Sequence, residues 1–189
     1  KLPGAPQLIE RLPAARHALI GGAVNLYRAA PKTLRSLLAA QLDVLPVEIP
    51  AELRRRHVDA AAGVYTHLRR ARLWVGHRPA MEGKLGAAVV LECDSAAAMR
   101  QALAALCTTS SELLRLAPDG DEAPTFRYVA GEGETGQDAI RIESPEVAAM
   151  GDEARQALRQ VLGSEPLEFP LMQVDAKTLV LVIGGEVSF

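Results

Sequence analysis

Apolar and polar positions along this chain follow two periods, and the switches between them outline its elements. RHALIGGAVNLY, residues 16–27, is almost wholly apolar or small and reads as a strand interrupted by Gly21-Gly22. Pro31 opens PKTLRSLLAAQL, in which Leu34, Leu37, Leu38 and Leu42 share one helical face, and the two prolines of DVLPVEIP end it. The longest helical pattern is AELRRRHVDAAAGVYTHLRRAR, residues 51–72, with an apolar stripe of Leu53, His57, Ala60, Val64, Leu68 and Ala71. On that reading Arg55, Asp59, Thr66 and Arg69 face water.

LWVGH and GKLGAAVVLEC have strand character and are separated by RPAMEG, which has the length and the glycine of a hairpin loop. An Asp94 or Ser95 cap then starts the helix SAAAMRQALAALC, which continues or breaks at TTSSELLRL. TFRYVA and AIRIES alternate as half-buried strands around a Gly-rich stretch. DEARQALRQVLG is a helix with Gly163 where a C-cap glycine belongs, and LEFPLMQV with TLVLVIGGE forms a terminal hairpin around Asp175-Ala176-Lys177.

The resulting order is β-α-α-β-β-α-β-β-α-β-β. Strands arriving in adjacent pairs with short turns call for antiparallel ladders, with helices covering one face of the sheet: an α+β fold. Residues 1–12, with Pro3 and Pro6 and with Pro13 just beyond, read as an extended arm, and 13–189 as a single domain. Both halves place a helix beside a hairpin, so a decayed duplication of 13–117 and 124–189 is conceivable.

Composition changes this picture little: 189 residues, 49% hydrophobic and 23% charged, is ordinary for a globular chain. No apolar run reaches the roughly 20 residues of a membrane helix. The chain opens on Lys1 without an initiator Met, so a processed or trimmed form is expected, with any targeting segment upstream.

Charge is laid out unevenly. Residues 1–80 carry 13 Lys and Arg against 5 Asp and Glu, and residues 81–189 carry 8 against 18. The basic excess concentrates on 51–72, where Arg55 and Arg69, fourteen residues apart, would lie on one helical face, with Arg56 in line with Arg70. Such a face could dock a protein partner, a second copy through its acidic C-terminal half, or an anionic surface. Nucleic acid is disfavoured, because only 4% of residues are aromatic and none forms a stacking platform among these arginines. The blandest reading is that the basic half folds against the acidic half.

Gly131-Glu132-Gly133-Glu134-Thr135-Gly136 matches G-x-G-x-x-G. A dinucleotide site needs a helix after that turn, to aim its N-terminal amides at the pyrophosphate. Here QDAIRIES follows with a strand period, and Glu132, Glu134 and Asp138 put negative charge where a polyanion would sit, so the motif reads as a turn. The acidic loops carry no EF-hand order. Histidines 17, 57, 67 and 77 have no metal-ligand spacing, and His57 on the stripe reads as a half-buried, hydrogen-bonded side chain. Cys93 and Cys107 are separated by a helix rising about 18 Å, too far for a disulfide, so both thiols are expected free. No H-E-x-x-H, C-x-x-C, G-x-S-x-G or P-loop is present.

GAAVVLECDSAAAMRQALAAL and FPLMQVDAKTLVLVIGGE together resemble segments of planctomycete-type bacterial α+β proteins that are secreted or membrane-anchored. The resemblance implies an extracytoplasmic setting and no particular activity, cofactor or catalytic residue. The function expected is therefore a non-catalytic binding or structural module, extracytoplasmic rather than cytoplasmic, without cofactor or metal. The alternatives are an enzyme whose site is dispersed in sequence, and anionic-surface or nucleic-acid binding through 51–72. If GEGETG is a turn, saturating NAD or ATP should leave the melting temperature unmoved. A true ligand at 100 Kd would add about 2.7 kcal/mol and raise it by several degrees.

Overall fold

Alanine is the strongest helix former, and the segment after Cys93 uses it six times before Cys107, behind a serine whose hydroxyl accepts from the amide three residues on (Ala98 N to Ser95 Oγ, 3.3 Å). The helix so started runs unbroken through TTSSELL to Leu114. A computed structural model describes residues 17–25, 31–77, 85–118, 120–131, 137–162 and 167–183. The arm 1–12, the RPAMEG loop and Gly163 lie outside the described residues.

The elements are β1 (His17–Asn25), α1 (Pro31–Asp43), α2 (Ala51–His67), β2 (Leu68–His77), β3 (Leu85–Cys93), α3 (Ala96–Leu114), β4 (Thr125–Val129), β5 (Asp138–Glu143), a single turn α4 (Pro145–Ala148), α5 (Asp152–Leu162), β6 (Glu168–Asp175) and β7 (Thr178–Ile183). The seven described strands form one sheet in the order β1-β2-β3-β7-β6-β5-β4, every neighbouring pair antiparallel. The fold is α+β, as the paired strand signals imply. Beyond the expected elements there is the turn α4, which Ser144 and Pro145 start. No described helix is long and apolar enough to cross a membrane.

The long helix is the main correction. It ends at His67, and Leu68–His77 is strand, where only LWVGH carried a strand signal. LRRARL has good helical propensity, but its backbone pairs with β1 on one side and β3 on the other. Two ladders outweigh a propensity difference of a few tenths of a kcal/mol per residue. Leu53 is still buried, and Val64 and Leu68 still pack on the core, the latter now from a strand.

Register sorts the core into two layers, since alternate strand residues point to opposite faces. On one face Cys93, Leu171 and Leu179, with Leu68, Leu91, Tyr128 and Leu181 around them, meet Ala96, Met99 and Leu103 of α3 and Val64 of α2. This is the face that α2 and α3 cover. Close approach of the two helices is permitted by Gly63, where a Cβ would stand 3.3 Å from that of Ala102. On the other face Val90, Met172, Val180 and Val182 are also buried, so that face is not open to water either. Of the described helices, α5 is the one that packs against β3 without belonging to the α1–α2–α3 layer.

The edge strand β4 is closed by α3. Ser111 Oγ accepts from Phe126 N (2.7 Å) and lies 2.9 Å from both Phe126 O and Cys107 O, so one helical hydroxyl satisfies the outward backbone groups of Phe126. Leu179 is fully buried in this core, so Leu179→Ala should cost about 2–5 kcal/mol in urea denaturation. Leu37→Ala, at a side chain 56% exposed, should stay within about 0.5 kcal/mol. Equal costs would mean that the core does not lie where the register places it.

Candidate functional site

The arginines expected to form one face are divided by the end of α2. Arg55 and Arg56 sit near its start, whereas Arg69 and Arg70 lie on β2. Each has a carboxylate partner: Arg55 with Glu52 (2.7 Å), Arg56 with Glu112, Arg69 with Asp94, and Arg70 with Glu92 at 3.8 Å. Arg72, only 4% exposed, donates to Glu92 Oε1 at 2.5 Å, while its Nε and Nη1 have no partner among the described residues. A shared basic helical face over 51–72 therefore does not exist. Arg56, Arg69, Arg70 and Arg72 of the basic half are held by Glu112, Asp94 and Glu92 of the acidic half, which is internal neutralisation.

Several of the described side chains able to carry chemistry are tied into the scaffold. Asp138, at the start of β5, accepts from Tyr128 Oη at 2.5 Å, Arg100 Nη1 at 2.9 Å and Gly131 N at 3.0 Å. These bonds join α3 to both strands of the β4–β5 hairpin and fix the first residue of the Gly-rich stretch. Burial pushes the Asp138 carboxyl up, but the hydrogen bonds from Tyr128 and Gly131 and the Arg100 charge outweigh it, and the net shift is downward. The Tyr128 phenol is held well above its ordinary value by burial and by the carboxylate it donates to. Gly131 has φ 63°, so the turn uses its glycine for left-handed backbone; residues 132–136 of the motif lie outside the described residues.

His57 Nδ1 lies 3.1 Å from Thr109 Oγ1, whose own proton goes to Ala105 O (2.9 Å). The network therefore assigns the proton of this contact to Nδ1, and burial lowers the imidazole pKa. Both cysteines are free and buried, as the helix between them requires. Burial pushes both thiols up, with Asp175 and Asp94 adding to the effect at Cys93, so the thiolate form is disfavoured. Cys93 Sγ instead donates to Lys177 O at 3.1 Å. Among the described residues no group of three His, Cys, Asp or Glu side chains could hold a metal ion.

One concavity departs from this pattern. A cleft of about 650 Å³ opens beneath α4, between the α3–β4 loop and the β5–β6 strands. Ala123, Ile142 and Val147 contribute apolar lining; Arg115, Arg141, Arg155, Asp121, Glu143 and Glu168 contribute charge. Its size suits a small-molecule site. The α3–β4 loop folds over the end of α3 because residue 120 is glycine: a Cβ there would lie 2.2 Å from Arg115 O. Arg155 braces the roof, its Nη2 donating to Ala148 O (3.1 Å) and Val147 O (3.4 Å). On the floor Arg141 donates through Nε (3.1 Å) and Nη2 (2.8 Å) to Oε2 of Glu168, which is 7% exposed. Leu167, just before it, has φ 67°, the one described non-glycine residue in the left-handed region.

Sequence reasoning missed this cleft. Its six charged residues come from four separate segments, and no spacing among them matches a known motif. The one local signal was the Ser144-Pro145 pair that starts α4. No protein-family model, curated protein or solved structure matches this chain.

Because the folded-state pKa of Asp138 is depressed, its contribution to stability is complete above the unfolded carboxyl value, near pH 4. It is lost as pH falls from there through the folded value. Acid titration of stability should therefore be shallower below about pH 4 in Asp138→Asn than in the parent. Parallel curves would mean that the network is not formed in solution.

Proposed function

We propose that this chain is a non-catalytic binding module that works outside the cytoplasm and takes its ligand in the cleft beneath α4. The observation that supports the reading is that Asp138, Tyr128, His57 and both thiols are committed to the scaffold and stand outside the lining of the cleft. Asp138 and Tyr128 bind each other, His57 binds Thr109, and both thiols are buried with the thiolate form disfavoured. General acid–base or nucleophilic work needs such groups facing a substrate. The cleft, by contrast, is open, of ligand size, and roofed by a single helical turn braced by one arginine. The extracytoplasmic setting rests on the likeness of the GAAVVLEC and FPLMQVDA segments to secreted and anchored bacterial proteins.

A small-molecule fragment screen read by ¹⁵N NMR should find ligands that shift the amides of Ala123, Glu143 and Ala148 and are recovered unchanged. Conversion of a ligand would make the chain an enzyme, and ligands that shift only amides elsewhere would remove the cleft from the reading. Fractionation of the native cells should place the protein outside the cytoplasm, and a wholly cytoplasmic distribution would overturn the compartment.

A further inference from the structure

Ion pairing is nearly complete among the described arginines, and two of the three exceptions share one cleft. Nine of the twelve arginines whose side chains are described have a carboxylate within 4.0 Å: Arg35, Arg54, Arg55, Arg56, Arg69, Arg70, Arg72, Arg100 and Arg141. The other three are Arg115, Arg127 and Arg155, and two of these, Arg115 and Arg155, line the cleft beneath α4. Asp121 and Glu143 line it too, and neither has a described cation within that distance. Two guanidiniums and two carboxylates thus share one concavity without pairing. Arg155 cannot swing freely to a carboxylate, because its Nη2 is engaged by the Val147 and Ala148 carbonyls. Gly120, between Arg115 and Asp121, folds back so closely that a Cβ there would stand 2.2 Å from Arg115 O, and its amide donates to Ala117 O at 2.9 Å.

Beneath them Glu168 is buried and held through one oxygen, Oε2, by both Arg141 donors. It faces the cleft as a second fixed acceptor. A polyanion would meet Asp121, Glu143 and Glu168, and a cation alone would leave Arg115 and Arg155 unanswered. A ligand with one anionic and one cationic end satisfies both sets. Ala123, Ile142 and Val147 add apolar lining that suits a short aliphatic stretch joining those ends.

We propose that the cleft binds a small zwitterion of the short-peptide class, its carboxylate on Arg115 and Arg155 and its ammonium on Glu143 and Asp121. This rests on the reading of the cleft as a ligand site and adds the class of ligand. The probes are tri-alanine, its N-acetyl derivative (anionic) and its C-terminal amide (cationic), each titrated into the full chain and followed by ¹⁵N NMR. Tri-alanine should shift the amides of Ala123, Glu143 and Ala148 and bind at least about tenfold more tightly than either capped form, since a charge-assisted contact contributes more than about 1.4 kcal/mol. Arg115→Gln should weaken tri-alanine and the N-acetyl peptide while leaving the amide unchanged. Glu143→Gln should weaken tri-alanine and the amide while leaving the N-acetyl peptide unchanged. The same spectra report whether each variant is folded.

Equal binding of the three peptides, or no shift at the cleft with tri-alanine, overturns the zwitterion assignment. If uncharged or singly charged fragments nonetheless shift the same amides, the cleft remains a ligand site and only the ligand class is wrong. If neither fragments nor peptides shift them, both readings fall.

Discussion

The ladder between β3 and β7 is the contact on which this architecture depends. Residues 87–92 pair with 178–183 across about half the length of the chain, and without that pairing the strands would be two separate sets, β1–β3 and β4–β7. Every large core side chain of the helix-covered face is arranged around it. Leu91 stands opposite Leu179, and Cys93, just past the ladder, donates its amide to Lys177 O at 2.7 Å. The β6–β7 turn also receives the first amide of α3, Ala96 N to Ala176 O at 2.8 Å. The last hairpin of the chain thus sets both the centre of the sheet and the starting point of the helix that covers it. Contacts of such long sequence separation carry a large loop-closure cost, which the two dry layers on either side of the ladder must offset.

Electrostatics follow from that central join. The basic first half and the acidic second half meet at β3, where Glu92 answers both Arg70 and Arg72 from the neighbouring strand. Most other pairs are solvent-exposed, with side chains near or above a third accessible, and such pairs contribute about 0–1 kcal/mol each. Their effect is local: each sets a carboxylate against an arginine of the basic half. Arg72 is different. A buried guanidinium with two donors unpaired among the described residues costs more than it returns, and removing Glu92 would leave it buried without a counter-charge.

The parts of this fold legible in the sequence are those decided locally. Alternation in TFRYVA and AIRIES, the Ser95 cap, and the Asp175–Lys177 turn (Lys177 N to Asp175 Oδ1, 2.8 Å) each state their outcome within a few residues. LRRARL does not: it has helical propensity and even continues the apolar stripe of α2, yet its hairpin partner β3 on one side and β1, from far earlier in the chain, on the other recruit it into the sheet. That single override moved Arg69 and Arg70 off the helix and dissolved the basic face. The candidate cleft was illegible for a related reason. Arg115, Arg141 and Arg155 acquire a relationship only when the β5–β6 ladder and the folded-back α3–β4 loop bring their segments together.

Leu167 shows how the scaffold and the cleft share one constraint. A leucine at positive φ costs on the order of 1–3 kcal/mol and persists only where surrounding contacts over-determine it. Two such contacts are present. The Leu167 carbonyl accepts from Ile142 N at 2.8 Å, and the residue after it, Glu168, pairs with Arg141 in the β5–β6 register and through its side chain. Relaxing Leu167 to ordinary backbone would redirect that carbonyl, loosen the ladder next to α4 and turn Glu168 away from Arg141. A glycine would adopt the same backbone without the steric cost, but at the expense of greater freedom in the unfolded chain. The strain is thus stored where the sheet ends and the cleft begins, in the residue just before the acidic floor of the cleft.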